Sequence, residues 1–412
     1  LADKTQVYPM EENDSVRTRL THSHEVSNLA RSIGVRLAFE HADEVSGRDH
    51  EALQVKRNVP SMLAAVGLAH DLGNPPFGHK GEAAIRHWFK RLAEERSGIS
   101  VEQDFLEFDG NAQTFRLLTR LQVLNDPFGL NLTCGTLPAL LKYPSVYGGD
   151  KHGFKKHGVF RSELSVAYEV WEQTGLCAGR RHPLAYVMEA CDDIAYSVID
   201  AEDTVKKGYA SFYDLMDFLE SHADGDEVVT KVVGFSREKN EEYRKGEISS
   251  RQLNDISMQM FRVKAIAEMI PAVTAVFVDK IESIMEGAVE PGLELMKASK
   301  ANALCALAKK FDKRYGFSHR DVLKLELEGS NYISEMLSNV WKSVNDQDSA
   351  ENFYDRFVFG DVSENYRQVY QESDADDYAK CQLACDVVSG MTENYLINRC
   401  QEYRGLRRDD LR

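Results

Sequence analysis

No stretch of this chain is apolar for long enough to cross a bilayer: the longest near-continuous run is IPAVTAVFV at 270–278, and a spanning helix needs about 20 such residues. The opening LADKTQVYPM lacks the basic start, apolar core and cleavage site of a secretory signal. There are seven cysteines, an odd number, scattered without a CxxC pair. They point away from a disulfide frame and toward reduced thiols in a cytoplasm. Only ten prolines occur and none follows Pro291, so the C-terminal part has no proline to interrupt long helices. Basic residues are also in deficit, 50 Lys and Arg against 66 Asp and Glu for a formal charge of −16. That balance argues against a whole-surface nucleic-acid binder, while leaving room for a local basic pocket that takes one small polyphosphate.

A chain of 412 residues with 43% apolar and 28% charged residues can bury a large core, as one big domain or two closely packed ones. The helical period dominates. In GEAAIRHWFKRLAEE, Ile85, Trp88, Phe89 and Leu92 fall at i, i+3, i+4 and i+7, an amphipathic helix. The same pattern predicts helices at 22–40, 111–124, 183–206, 250–268, 272–288, 293–312, 318–342 and 375–398. TKVVGFS at 230–236 reads as the best strand candidate, and the stretches near 222–227 and 345–351 read as loops. The expected fold is all-α, with a core over residues 1–210 and a C-terminal helical region over 211–412 packed on it.

Chemistry concentrates in three segments. The first is RTRLTHSHEVSNLAR at 17–31, with His22 near a helix start. The second is GLAHDLGNPPFGHKGE at 67–82, where an apolar run leads into adjacent His70 and Asp71. Gly73 and the Pro-Pro pair would end the helix there, letting both side chains reach one ion. The third is MEACDDIAYSVID at 188–200, with Asp192, Tyr196 and Asp200 at i, i+4 and i+8, on one helical stripe. Two carboxylates and a phenol on an otherwise buried helix are costly unless cations or donors meet them, and a divalent metal beside a sugar would suit. Singly, each feature is weak, since a lone helical histidine is more often capped or core, HD pairs arise by chance, and Asp192–Asp193 could be a solvated face. Together, His22, His70–Asp71 and Asp192 give an H…HD…D order. Their two imidazoles and two carboxylates suit Mg, Mn, Fe, Co, Ni or Zn.

Longer segments make the resemblance specific. KTQV (4–7), RTRLTHSHEV (17–26), HDLGNPPFGHKGE (70–82), FDGNAQTFR (108–116), NLT…LLKYP (131–144), KHGVFRSE (156–163), MEACDDIAYSVIDAED (188–203) and, more weakly, VVSGMTENYLINRC (387–400) resemble the bacterial dGTPase-like deoxynucleoside triphosphate triphosphohydrolases of the HD-domain superfamily. The GNPPFGHxGE segment separates that branch from other HD families. Because the family's KTQV normally follows more residues, the resemblance also implies an N-terminal segment ahead of Leu1.

The resemblance implies hydrolysis of a dNTP, dGTP or several of the four, to deoxynucleoside and inorganic triphosphate. Carried over by position, it implies His22, His70, Asp71 and Asp192 as metal ligands and His79 with Glu82 as the catalytic pair beyond the metal. A carboxylate-supported histidine can give or take a proton near pH 7. It further implies Arg19, Lys142 and Lys156 as phosphate contacts, with Asn111 and Tyr143 as neutral ones. Gln6, Tyr196 and Asp200 would face the sugar, where a tyrosine beside C2′ rejects ribonucleotides. A homo-oligomer, hexameric in many members, and dNTP or single-stranded DNA effectors are also implied. Two rival readings are another HD phosphohydrolase, such as a 5′-nucleotidase or a cyclic-nucleotide or (p)ppGpp hydrolase, and a non-catalytic nucleotide sensor or DNA-binding protein. The first would not need GNAQ, the KYP lysine or the KTQV glutamine. The second fits poorly with an intact ligand set plus His79 and Glu82.

Overall fold

The computed structural model describes residues 4, 8, 17–95, 98–122, 128–346 and 352–409. Among them the fold is helical and has no strand, with an isolated bridge between Val146 and Val159. The helices that build the site are α1 (Arg19–Glu40), α2 (Val55–Ala69), α3 (Gly78–Glu95), α4 (Gly110–Arg116), α5 (Pro183–Ile194) and α6 (Asp200–Lys206).

Helix α1 starts where Thr18 and Thr21 exchange side-chain and backbone hydrogen bonds in a capping box, satisfying two orphan groups of the first turn. His22, Val26, Leu29, Ile33 and Leu37 then point inward. α2 packs closely on that face. A side chain at Gly34 would come within 2.9 Å of Pro60 Cα, and one at Gly67 within 2.7 Å of Ser27 Cα. These two glycines therefore let the backbones approach, bringing the C-terminal end of α2 beside His22.

Apolar residues gather in two clusters. One combines α1, α2 and α5 with α7 (Glu227–Arg244), α8 (Ser250–Glu286) and α9 (Asn302–Asp312). The other joins α3 to α10 (Arg320–Asp346), α11 (Asp377–Gly390) and α12 (Glu393–Asp409) around Trp88, Phe89, Phe105 and Trp341. Both take residues from either side of residue 210.

Several sequence expectations are corrected. TKVVGFS lies inside α7, capped by Asp226, whose side chain accepts from Val229 N. Its valines sit at 228, 229, 232 and 233 and are followed by buried Ser236 and Asn240, a helical period that a short valine-rich window hides. The helices expected at 250–268 and 272–288 are one helix of 37 residues with Pro271 inside it. Proline there removes one backbone hydrogen bond, and burial of Phe261, Met269, Val273 and Phe277 on both sides carries the helix through. Conversely, the helix expected at 293–312 breaks at Ser299, which is extended, and that at 375–398 breaks at Met391, also extended.

Candidate active site

The end of α2 sets the first half of the site. His70 stands at its C-cap, and its Nδ1 lies 2.7 Å from the Gly67 carbonyl. Donation to that carbonyl places the proton on Nδ1 and leaves Nε2 with a free lone pair. Nε2 is buried without a hydrogen-bond partner and lies 3.5 Å from Asp192 Oδ1. From α1, His22 Nε2 approaches the same oxygen at 3.2 Å. One ligand atom from each of His22, His70 and Asp192 lies within 4.8 Å of the others, and two imidazole nitrogens with a carboxylate oxygen are a donor set for a divalent transition metal. Burial would lower His70, but the Asp71 and Asp192 carboxylates outweigh it and push its pKa up to about 9. Burial would likewise raise Asp192, yet the two imidazoles hold it well below the usual carboxylate range. The field that favours a proton on His70 equally favours a bound cation.

Asp71 stands at the edge of this group. Its Oδ1 is 3.5 Å from His70 Nε2 and accepts from Asn74 Nδ2 at 2.6 Å, while its Oδ2 pairs with Arg19 Nη1 at 2.5 Å.

The loop that follows is pinned from several sides. Gly73 N donates to Thr114 Oγ1, Lys4 Nζ to the Asn74 and Ser389 carbonyls, and Phe77 N to Glu393 Oε1. Phe77 has φ +61°, a left-handed conformation unusual for a bulky residue and held only where surroundings enforce it. This turn delivers His79 into the first turn of α3, three residues before Glu82. Nδ1 of His79 lies 3.1 Å from Glu82 Oε2, while Glu82 Oε1 accepts from Gly110 N at 2.8 Å. The His79 side chain is 78% exposed and that of Glu82 only 3%. Donation from His79 Nδ1 to the Glu82 carboxylate raises the His79 pKa above its ordinary value. Burial works to raise Glu82, and His79, Lys156 and the Gly110 N–H overcome it. An exposed imidazole with a buried carboxylate behind it is the geometry of a general acid or base.

The residues expected to meet phosphates are themselves held by carboxylates. Asp109 caps α4, accepting from both N and Nδ2 of Asn111 on Oδ1 and pairing with Lys156 Nζ on Oδ2. Lys142 Nζ is 3.2 Å from Glu189 Oε1 and 5.8 Å from the Tyr143 ring centroid. Beyond Asp192, α5 passes through a π-turn over Ala195–Ile199 into α6. Residues eight apart drift by about 80° around an α-helix, and the wider turn reduces that drift, so Asp200 returns toward the side of Asp192. π-turns of this kind recur at functional sites. Tyr196 packs 5.9 Å from Phe317. Asp200 is buried, with Oδ2 unpartnered; burial first, then Asp312 and Asp203, hold its pKa well above the usual range. Gln6 lies outside the described residues.

Residues 19–116 match the HD domain model, which encloses Arg19, His22, His70, Asp71, His79, Glu82 and Asn111. Over 98% of its length the chain is 33% identical to a deoxyguanosinetriphosphate triphosphohydrolase-like protein of Listeria monocytogenes, covering 90% of that relative. It is 32% identical to a protein of the same description in Synechocystis and 31% identical to a deoxyguanosinetriphosphate triphosphohydrolase of Salmonella enteritidis, with the same two coverages. The chain belongs to the deoxyguanosinetriphosphate triphosphohydrolase family.

Within this site, sequence reasoning missed two of the cations, Lys309 and Arg181, and the pairing of Asp109, Glu189 and Asp193 with cations. Lys309 reaches in from α9, 2.5 Å from Asp193 Oδ1 and 5.5 Å from the Tyr196 ring centroid. Nothing local marks it, because it lies more than a hundred residues from its partner. Asp109 had a signal, an aspartate directly before the helix-opening GNAQ; Glu189 had one too, one turn before Asp192. The pairs Arg19–Asp71, Lys142–Glu189, Lys156–Asp109, Lys309–Asp193 and Arg181–Glu189 supply five cations. With Asp192 and Glu82 added, six carboxylates stand against them. The fixed charges of the site therefore do not favour a polyphosphate, and a divalent ion reverses the balance.

Proposed function

We propose that this protein is a metal-dependent dNTP triphosphohydrolase, cleaving dNTP and water to deoxynucleoside and inorganic triphosphate. The observation that carries the reading is the convergence of His22, His70 and Asp192 on one point beside an exposed His79 backed by buried Glu82. Family membership narrows the substrate class, and the Salmonella relative acts, by its name, on dGTP.

His22, His70 and Asp192, with Asp71 as a further oxygen donor, would hold the metal, which supplies positive charge to an α-phosphate oxygen. Water attacks the α-phosphorus and the bond from phosphorus to the 5′-oxygen breaks. His79 then takes the proton from the water or gives one to the departing 5′-oxygen, with Glu82 holding its ring in one orientation. Arg19, Lys142 and Lys156 meet the phosphates, with Asn111 and Tyr143 beside them, and Tyr196 and Asp200 face the sugar with Gln6.

Turnover of the four dNTPs and GTP, with Mg²⁺, Mn²⁺ and Co²⁺ varied and products separated by chromatography, tests this. Triphosphate and deoxynucleoside are expected. Orthophosphate or pyrophosphate as the product would contradict it.

A further inference from the structure

Helix α5 carries three carboxylates; the metal group accounts for Asp192, and Lys309 pairs with Asp193. Asp192 faces His22 and His70. Glu189, three residues earlier on an adjoining part of the helix surface, is 6% exposed. Its Oε1 is 3.2 Å from Lys142 Nζ, and its Oε2 accepts from Arg181 Nη1 at 2.7 Å. Arg181 is itself buried, with its guanidinium 4.7 Å from the Tyr186 ring centroid and 5.2 Å from that of Phe154. Its Nε is buried without a hydrogen-bond partner. An arginine held this deep is costly, and an apolar side chain of similar size would fill the same space at less cost. What an apolar side chain could not supply is the charge.

Lys142 and Glu189 alone would make a neutral pair with no long-range attraction for a polyphosphate. Arg181 brings the three groups to one net positive charge, and walled between two rings it cannot present that charge itself. Lys142, with its side chain 24% exposed, is the most accessible of the three. Burial works against the charge on Lys142, and Glu189 first, with Asp192 and Asp193 behind it, more than restores it.

We propose that Arg181 and Glu189 are a positioning pair for Lys142. Glu189 fixes the ammonium through Oε1, and Arg181 cancels the carboxylate so that Lys142 meets the substrate phosphates as an uncompensated cation. This rests on the reading of Lys142 as a phosphate contact.

The test is steady-state dNTP kinetics on the full metal-loaded chain for Arg181→Met, Arg181→Met/Glu189→Gln and Lys142→Ala, with metal content and melting temperature recorded alongside. Arg181→Met leaves Lys142 and Glu189 neutral. It is expected to raise KM about tenfold, the scale of one unit charge in a partly solvated site, with kcat within about twofold and metal content unchanged. The double variant restores a lone positive charge on Lys142 and should return KM to within about threefold of wild type. A merely structural role would lower melting temperature and active fraction in both variants and leave KM unmoved, which overturns the proposal. If Lys142→Ala raises KM while Arg181→Met does not, the positioning pair is wrong and the phosphate role of Lys142 stands. If Lys142→Ala leaves KM unchanged, both fail. Should Arg181→Met not fold, Arg181→Lys against Arg181→Gln makes the same comparison, with wild-type KM expected only for the lysine.

Discussion

Replacing Glu82 with glutamine removes one negative charge from behind His79 and keeps the shape. In Glu82→Gln the amide oxygen could still accept from Gly110 N, as Glu82 Oε1 does at 2.8 Å. The amide NH₂ would then face His79 Nδ1, where an acceptor now sits at 3.1 Å, and would favour the neutral tautomer with Nδ1 bare. Hydrogen bonds to charged groups are worth about 1.5–3 kcal/mol. The 78% exposure of the His79 side chain places this one at or below the lower limit, because water screens it. Losing it favours the neutral ring, and the His79 titration should move down. The direction follows from Glu82 raising His79. A raised histidine stabilises the folded chain below its unfolded pKa of about 6.5 and loses that contribution as pH rises through its folded value. The assay is the pH profile of kcat/KM for a dNTP, with the His79 ring titrated by NMR in the same two proteins. If His79 acts as the acid, its alkaline limb moves down; if it acts as the base, the acid limb does. An unmoved limb together with an unmoved ring titration would refute the pairing.

Further outcomes follow from the same geometry. Asp192→Ala should lose bound metal by elemental analysis, and with it the thermal stabilisation that added metal gives the wild type; full metal occupancy in a folded variant would remove Asp192 from the ligand set. Tyr196→Ala should lower the dGTP-to-GTP ratio of kcat/KM by roughly tenfold or more, from a steric discrimination on the order of 1–3 kcal/mol; an equal loss on both substrates would make the ring core packing only. Asp386→Ala should destabilise the fold by about 3–5 kcal/mol in chemical denaturation. It strips buried Arg116 of a bidentate partner, with contacts at 2.8 to 3.1 Å, and leaves Glu163 alone beside it; a change below about 1 kcal/mol would contradict that.

Much of the candidate site was legible because the residues proposed to hold the metal sit at helix ends and on a helix stripe. His22 follows a capped start, His70 precedes a Gly-Asn-Pro-Pro stop, and Asp192, Tyr196 and Asp200 share one continuous helix. The π-turn at Ala195–Ile199 was not legible, since nothing in AYSVI departs from ordinary helical composition. Cation–carboxylate pairs were hidden for a different reason. Lys309–Asp193 and Arg181–Glu189 are decided by how α9 and the segment before α5 pack, and ion pairs across tertiary contacts leave no periodic trace. The fold class followed from the 3.6-residue period, while the valine run in α7 and Pro271 in α8 were misread because local propensity there yields to burial on a longer face.

Attack at the α-phosphorus releases the triphosphate intact and places the oxygen of water on it. Hydrolysis of a dNTP in ¹⁸O-water, with both products analysed by mass spectrometry, tests it most directly. One ¹⁸O in the triphosphate and none in the deoxynucleoside is the predicted result. Label in the deoxynucleoside, or in released orthophosphate or pyrophosphate, would contradict it.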